Sequence, residues 1–305
     1  MNISGYSTAR FATWYFLDEL RLVFDAGDGI AAALASKCQR AQHVFLTHAD
    51  RDHIGGLLQF NQLAARSDRP LTYYYPKDSG SFPAFRDFIE KFDPKLPKAC
   101  WVPLEAGQRI AIASSHVVEV GENDHIAVAG RGIAGEVKSL DYRVVESRRQ
   151  LKPEFAGTDG TELGRLRAAH GAEHITNPVE RPLVGFSGDA PRFDVDRWRG
   201  TEILIHEATF IAPDAGDRGH CELGDVIRGA SELDLKALVL GHFSNRYDAD
   251  FIRAAIVREA DAAAIPFPIH AVLPLTTVRD VLAEEPTWPG TAGLEHPAIQ
   301  QDLAP

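Results

Sequence analysis

The chain has 305 residues, 45% of them hydrophobic and 25% charged, the proportions of an ordinary globular protein. Its 43 acidic residues outweigh 32 basic ones for a formal net charge of −11, which argues against a general nucleic-acid coat but not against a local basic patch beside a cation site. There is no apolar run of about 18 residues to span a membrane, the opening MNISGYSTAR has no charged region leading into an apolar one, and Cys38, Cys100 and Cys221 are too scattered for a disulfide framework. A cytoplasmic protein built as one large α/β domain is the expectation.

In chain order, 21–24 reads as a strand followed by the turn Asp25-Ala26-Gly27-Asp28-Gly29. A short helix is expected over 30–37, a strand over 42–47 and an amphipathic helix over 54–65. A strand at 71–75, a helix at 82–92 and two or three strands within 101–122 come next. The second half repeats the alternation. Strands are expected at 139–146, 183–186, 202–205 and 237–240, and helices at 223–231 and 249–259. Residues 148–180 read as a polar, Gly- and Pro-containing excursion with a helix near 162–169. The pattern fits a four-layer αββα sandwich as one α/β domain over 1–273, with a loosely packed, Pro-rich acidic tail over 274–305.

Chemistry-bearing side chains recur at the ends of these strands. His48, Asp50, Asp52 and His53 follow the apolar run Val44-Phe45-Leu46, within Thr47-His48-Ala49-Asp50-Arg51-Asp52-His53-Ile54-Gly55-Gly56. Ser187-Gly188-Asp189 follows Val184-Gly185-Phe186, and His206-Glu207-Ala208-Thr209 follows Ile203-Leu204-Ile205. His242 follows Val239-Leu240-Gly241, and His220 sits in Gly-His-Cys-Glu ahead of a helix. A rigid sheet fixes such a side chain while the loop leaves it accessible. Gly27-Asp28-Gly29-Ile30-Ala31-Ala32 also fits the glycine pattern of a dinucleotide-binding turn, but that reading leaves the other strand-end ligands unexplained. His206 reads as a hydrogen-bonded structural histidine.

These motifs resemble the metallo-β-lactamase superfamily and, within it, the ribonuclease Z branch, the endonucleases that cut the 3′ trailer from precursor tRNA. The resemblance runs from about Ile3 to Tyr247. It is carried by Gly5-Tyr6-Ser7-Thr8, Phe24-Asp25-Ala26-Gly27, Gln150 to Phe155, Ile175-Thr176-Asn177 and, more specifically, by His206-Glu207-Ala208-Thr209 and His242-Phe243-Ser244-Asn245-Arg246-Tyr247. It implies the αββα metallo-β-lactamase sandwich and phosphodiester hydrolysis by metal-activated water. Asp52, His53, Asp189 and His242 would form one site, with Asp189 bridging to a second made by His48, Asp50 and a third side chain. Asp52 would also orient or deprotonate the water, Glu207 would hold His220 as proton donor to the leaving group, and Ser244 and Arg246 would contact phosphate.

The chain departs from that pattern. Asp50 stands where the family has a histidine, and its carboxylate, the harder ligand, makes Mn2+ or Fe more competitive with one or two Zn2+ ions. The family also places a histidine shortly ahead of the tyrosine of Ser-x-Gly-Tyr. Here Ser139-Leu140-Asp141-Tyr142 has Gly135 at that place, and His125 serves only if 126–135 is an insertion. Bacterial members carry a protruding arm with a glycine/proline-rich tip, and 148–180 shows no such tip. The expected substrate is RNA, in particular precursor tRNA. A small phosphodiester or other ester is the alternative, and a regulatory relative with an impaired first metal site is the third reading. The resemblance suggests a homodimer, and no membrane partner is expected.

Overall fold

Leu22-Val23-Phe24, Val44-Phe45-Leu46 and Tyr73-Tyr74-Tyr75 are short runs buried throughout, the pattern of parallel strands covered on both faces. In the computed structural model, which describes residues 1–133, 135–212 and 219–291, they lie in one six-stranded sheet. Its order is β1 (Ile3–Thr8), β2 (Ala12–Leu17), β3 (Leu22–Phe24), β4 (His43–Phe45), β5 (Thr72–Pro76), β6 (Cys100–Leu104). The first three strands form an antiparallel meander, and β3 to β6 are parallel. The second, seven-stranded sheet contains β7 (Arg109–Ala113), β8 (His116–Glu122), β9 (Leu140–Leu151), β10 (Thr176–Phe186), β11 (Ile203–Glu207), β12 (Ala237–Gly241) and β13 (Ile269–Ala271), in sequence order from one edge to the other. Here β7 to β10 are antiparallel and β10 to β13 parallel.

The two sheets pack face to face and helices cover both outer faces, so the architecture is the expected αββα sandwich. On one side Leu57, Phe60 and Ala64 of the helix Leu57–Ala64 lie on β3 to β5. On the other, Leu223, Val226, Ile227 and Ala230 recur at helical spacing and bury the helix Leu223–Ala230 against β11 and β12. Between the sheets, Phe24 stacks on Phe186 at 4.9 Å and Phe45 meets Tyr142 edge-on at 5.1 Å. Burying each such ring contributes about 1.5–3 kcal/mol. Tyr142 also donates its hydroxyl to Leu46 O at 2.6 Å, and Leu140 N donates to Thr47 O at 3.0 Å. These bonds cross from the second sheet to the end of β4 and hold in place the turn that carries His48.

Two expectations need correction. The excursion at 148–180 is not irregular: β9 runs on to Leu151 and pairs with β10 from Thr176. Beyond Glu146 this ribbon has no further strand neighbour among the described residues, and it ends in the helices Gly160–His170 and Ala172–Ile175. Its residues do not alternate in polarity because both faces meet water. The segment after 273 is not loose as far as Thr291. Val278 forms a bridge with Gly5, Ser4 Oγ donates to Arg279 O, and Trp288 is buried with its indole donating to Ile265 O at 3.0 Å. Val281 and Trp288 anchor a stretch whose prolines and acidic residues had suggested a tail. The rest of that segment, 292–305, lies outside the described residues. Among those described, no helix is long and apolar enough to cross a membrane.

Candidate metal centre

The parallel strands β4, β10, β11 and β12 all end at the same rim, which converts the strand-end residues into a single cluster. After β4 the chain turns through Thr47 and His48 into the short helix Arg51–Ile54. Asp50 occupies the N-cap position of that helix yet makes no capping bond. Beneath it Gly27 is needed for space, since a Cβ there would come within 2.3 Å of Asp52 O and 2.5 Å of Thr13 N. This close packing accounts for the glycine that had matched a dinucleotide-binding turn.

Each histidine is oriented by a bond on its far nitrogen. His53 Nδ1 donates to the fully buried Asp25 at 2.7 Å, and Asp25 also accepts from Thr47 N at 2.7 Å. His48 Nδ1 lies 3.0 Å from Thr47 Oγ1, and His242 Nδ1 lies 2.9 Å from Thr209 Oγ1. Their Nε2 atoms therefore converge. Those of His48 and His53 lie 3.6 and 3.3 Å from Asp189 Oδ2, and that of His242 lies 3.3 Å from Asp189 Oδ1 and 3.4 Å from Asp52 Oδ2. Burial opposes charge on Asp189 and Asp52. Even so, His242, His53 and His220 hold Asp189 well below the usual carboxylate range, and His53 and His242 do the same for Asp52. Burial likewise opposes charge on His53, but Asp189, Asp25 and Asp52 hold its pKa well above the usual imidazole value.

Glu207 is buried and does not reach the cleft. Its Oε1 accepts from His220 Nδ1 at 3.0 Å, Ala190 N at 2.9 Å and Cys221 N at 3.2 Å, while Oε2 accepts from Thr209 N at 3.0 Å and from the Thr209 hydroxyl. One carboxylate thus orients His220 directly and His242 through Thr209. Its role is positioning. His206 next to it is buried and donates Nδ1 to Glu207 O at 2.7 Å, while its Nε2 finds no hydrogen-bond partner among the described residues.

His125 is brought to the cluster, at the start of the short helix His125–Val128. Asn123 ties its loop to that of Asp189, accepting from His125 N at 2.9 Å and donating to Asp189 O at 2.7 Å. His125 Nδ1 donates to Gly219 O at 2.6 Å, so Nε2 faces inward, 3.9 Å from Asp189 Oδ2. Burial pushes its pKa down to about 4, with His48 and His220 adding to the effect. Sequence reasoning missed Arg131, which lies in the inserted stretch. Its Nη1 donates to Asp50 Oδ1 and Oδ2 at 2.5 and 2.7 Å, and its Nη2 to His125 Nε2 at 3.1 Å. It gave no role to Asp25 and Thr209, although both lie inside motifs that carry the resemblance, nor to Asn123, and all three support the cluster from behind.

The residues fit a divalent ion. His48 Nε2, His53 Nε2, His242 Nε2 and Asp189 Oδ1 are buried without a hydrogen-bond partner, and leaving such an atom unsatisfied costs about 1–3 kcal/mol. Ligand atoms of Asp52, His53 and His242, and those of His48, His53 and Asp189, lie within 4.8 Å of one another. Orphaned acceptors converging on shared carboxylates are what a bound cation satisfies. In front of them opens a cleft of about 620 Å³ lined by Asp50, Asp52, His220, His242 and, on its basic side, Arg10, Arg131, Ser244 and Arg246. Arg246 Nε donates to Ser244 Oγ at 3.1 Å, and its guanidinium lies over Phe210 at 5.3 Å.

The αββα sandwich and a His/Asp cluster on its strand ends define a metallohydrolase of the metallo-β-lactamase fold. The fold is shared with YhfI from Bacillus subtilis, a metallo-β-lactamase fold protein, at a TM-score of 0.60 and 16% identity over 91% of this chain and 98% of that one. No family model matches the chain. A ribonuclease Z of Natronomonas pharaonis is 30% identical over 274 residues, 80% of this chain and 83% of that protein. The tRNase Z TRZ1 of Arabidopsis thaliana is 27% identical over 282 residues, 88% and 92% respectively. The chain belongs to the ribonuclease Z family and is a metal-dependent hydrolase.

Proposed function

We propose that this chain is an endoribonuclease that removes 3′ trailers from precursor tRNA with a divalent metal held by Asp52, His53, Asp189 and His242. The observation that carries the reading is the orphaned, convergent set of His53, His242 and Asp189 beside a histidine, His220, that is locked by Glu207. Names of relatives such as tRNase Z TRZ1 support the choice of substrate. Zinc suits the imidazoles, while the carboxylates of Asp52 and Asp189 admit manganese or iron.

When bound, the metal polarises the phosphodiester and makes water beside it more acidic. Asp52 lines the cleft, where it can orient the attacking water and take its proton once a bound metal has made that water more acidic. As the new P–O bond forms, the bond to the departing ribose oxygen breaks. His220, fixed through Nδ1 by Glu207, faces the cleft with Nε2 and gives that oxygen a proton. Ser244, Arg246 and Arg10 offer donors to flanking phosphates. The projecting β9–β10 ribbon gives a large RNA a second place to be held. Cytoplasmic tRNA maturation and assembly as a homodimer belong to the same reading.

The net charge of −11 favours a second substrate class, a small phosphodiester. Incubating the protein with a precursor tRNA and with bis(p-nitrophenyl) phosphate, each with Zn2+ and with Mn2+, decides between them. Cleavage of the tRNA at the trailer junction supports the proposal. Turnover of the small ester alone overturns it in favour of the second class.

A further inference from the structure

The two halves of the cluster differ in what their ligand atoms already hold. Among the expected metal ligands, the atoms buried without a partner belong to His48, His53, His242 and Asp189. His125 Nε2 and the Asp50 carboxylate are not orphans, because one guanidinium satisfies both: Arg131 Nη1 on Asp50 at 2.5 and 2.7 Å and Nη2 on His125 at 3.1 Å. Asp50, His48 and His125 are the ligand set expected for the first metal, and their ligand atoms also lie within 4.8 Å of one another. Of these three ligands only His48 is left without a partner, at Nε2, so the first site does not fit a second metal ion as the other site does.

We propose that the Arg131 guanidinium takes the place of the first metal ion, leaving a centre with a single divalent ion on Asp52, His53, Asp189 and His242. Charge and hydrogen-bond polarity match this exchange. A histidine at position 50 would offer one lone pair and no negative charge to the arginine, whereas Asp50 offers two acceptor oxygens and a full charge. His125 is already the right acceptor, since Nδ1 donates to Gly219 O and leaves Nε2 unprotonated toward Arg131. A guanidinium keeps its charge at every working pH, so the cation is permanent where a metal would be exchangeable. Its anchor lies within 126–135, the stretch that the resemblance reads as an insertion. Arg131 also lines the cleft, where its positive charge faces the substrate side of the centre.

The proposal rests on the metal reading above, and the test separates the two. Full-length protein is stripped with chelator, dialysed to equilibrium against Zn2+, and its bound zinc measured by mass spectrometry. Wild type should hold about one ion per chain, and Arg131→Ala about two, because Asp50 and His125 are then released to join His48. Arg131→Gln, which keeps the bulk and loses the charge, should also hold about two, and circular dichroism confirms that both variants are folded. Two ions in wild type would overturn the Arg131 proposal and leave the metal reading intact. So would a single ion in both folded variants. No zinc in wild type would overturn the metal reading and this proposal with it.

Discussion

Asp25 and His53 form a buried pair, the histidine Nδ1 donating to the carboxylate at 2.7 Å, and this contact decides which nitrogen of His53 faces the cleft. Asp25 also accepts from Thr47 N, so both its oxygens are committed as acceptors. In Asp25→Asn one of them becomes an NH2 group, which meets either the His53 or the Thr47 donor whichever way the amide is turned. Supporting bonds of this kind are worth about 10–100-fold in metal affinity. Competition titration with a chromophoric chelator should show a loss of that size, and unchanged affinity would count against His53 as a ligand.

His220 protonates the departing oxygen, so its loss matters most when the leaving group is poor. His220→Ala should slow cleavage of precursor tRNA by about 10²–10⁴-fold. Hydrolysis of bis(p-nitrophenyl) phosphate, whose leaving group departs without a proton, should change far less. Equal losses on both substrates would assign His220 to metal binding instead.

Without metal the cluster makes stability depend on pH from both sides. Asp50, Asp52, Asp189 and Glu207 are lowered in the folded state: burial opposes this in each, but His48 and Arg131 dominate at Asp50 and His220 at Glu207. A lowered carboxylate contributes stability present above its unfolded value, 3.8 for Asp and 4.5 for Glu, and lost as pH falls through the folded value. His53 is raised above 6.5, so its contribution is present below 6.5 and lost as pH rises through the folded value. His125, lowered to about 4 by burial, has the opposite sign to His53 and loses its contribution as pH falls from 6.5. Thermal melts of metal-free protein should therefore peak near the imidazole value of 6.5 and fall on both sides, and Asp52→Asn should flatten the acid side. A melting temperature that keeps rising well above the imidazole range would contradict the His53 assignment.

Trp288 ties the segment after 273 into the helix-covered side of the second sheet. Trp288→Ala should cost about 3–5 kcal/mol in urea unfolding, the range for a buried aromatic. A loss under about 0.5 kcal/mol, typical of surface sites, would restore the reading of a loose tail.

Much of this centre was legible in the sequence because its ligands come directly after apolar strands. Val44-Phe45-Leu46, Val184-Gly185-Phe186 and Val239-Leu240-Gly241 announce buried parallel strands, and the residues just beyond each must lie at a sheet rim. That shared position groups His48, Asp52, His53, Asp189 and His242 although they are far apart along the chain. Arg131 carries no such signal, since its approach to Asp50 depends on how the inserted loop folds back, and no periodicity encodes that. The ribbon beyond Glu146 was unreadable for a different reason: two strands exposed on both faces lose the alternation that marks a strand. Asp25 looked like a turn aspartate, and only its burial shows that it serves His53.

The central claim is that the cluster holds a divalent ion that works with Asp52 to cut precursor tRNA. Single-turnover cleavage of a 3′-extended tRNA by chelator-stripped protein, before and after Zn2+ or Mn2+ is restored, tests it most directly. Cleavage at the trailer junction should vanish on stripping, return with metal in wild type, and stay about 10²-fold or more below wild type in Asp52→Ala. Undiminished cleavage by the stripped protein, or by the variant, would contradict it.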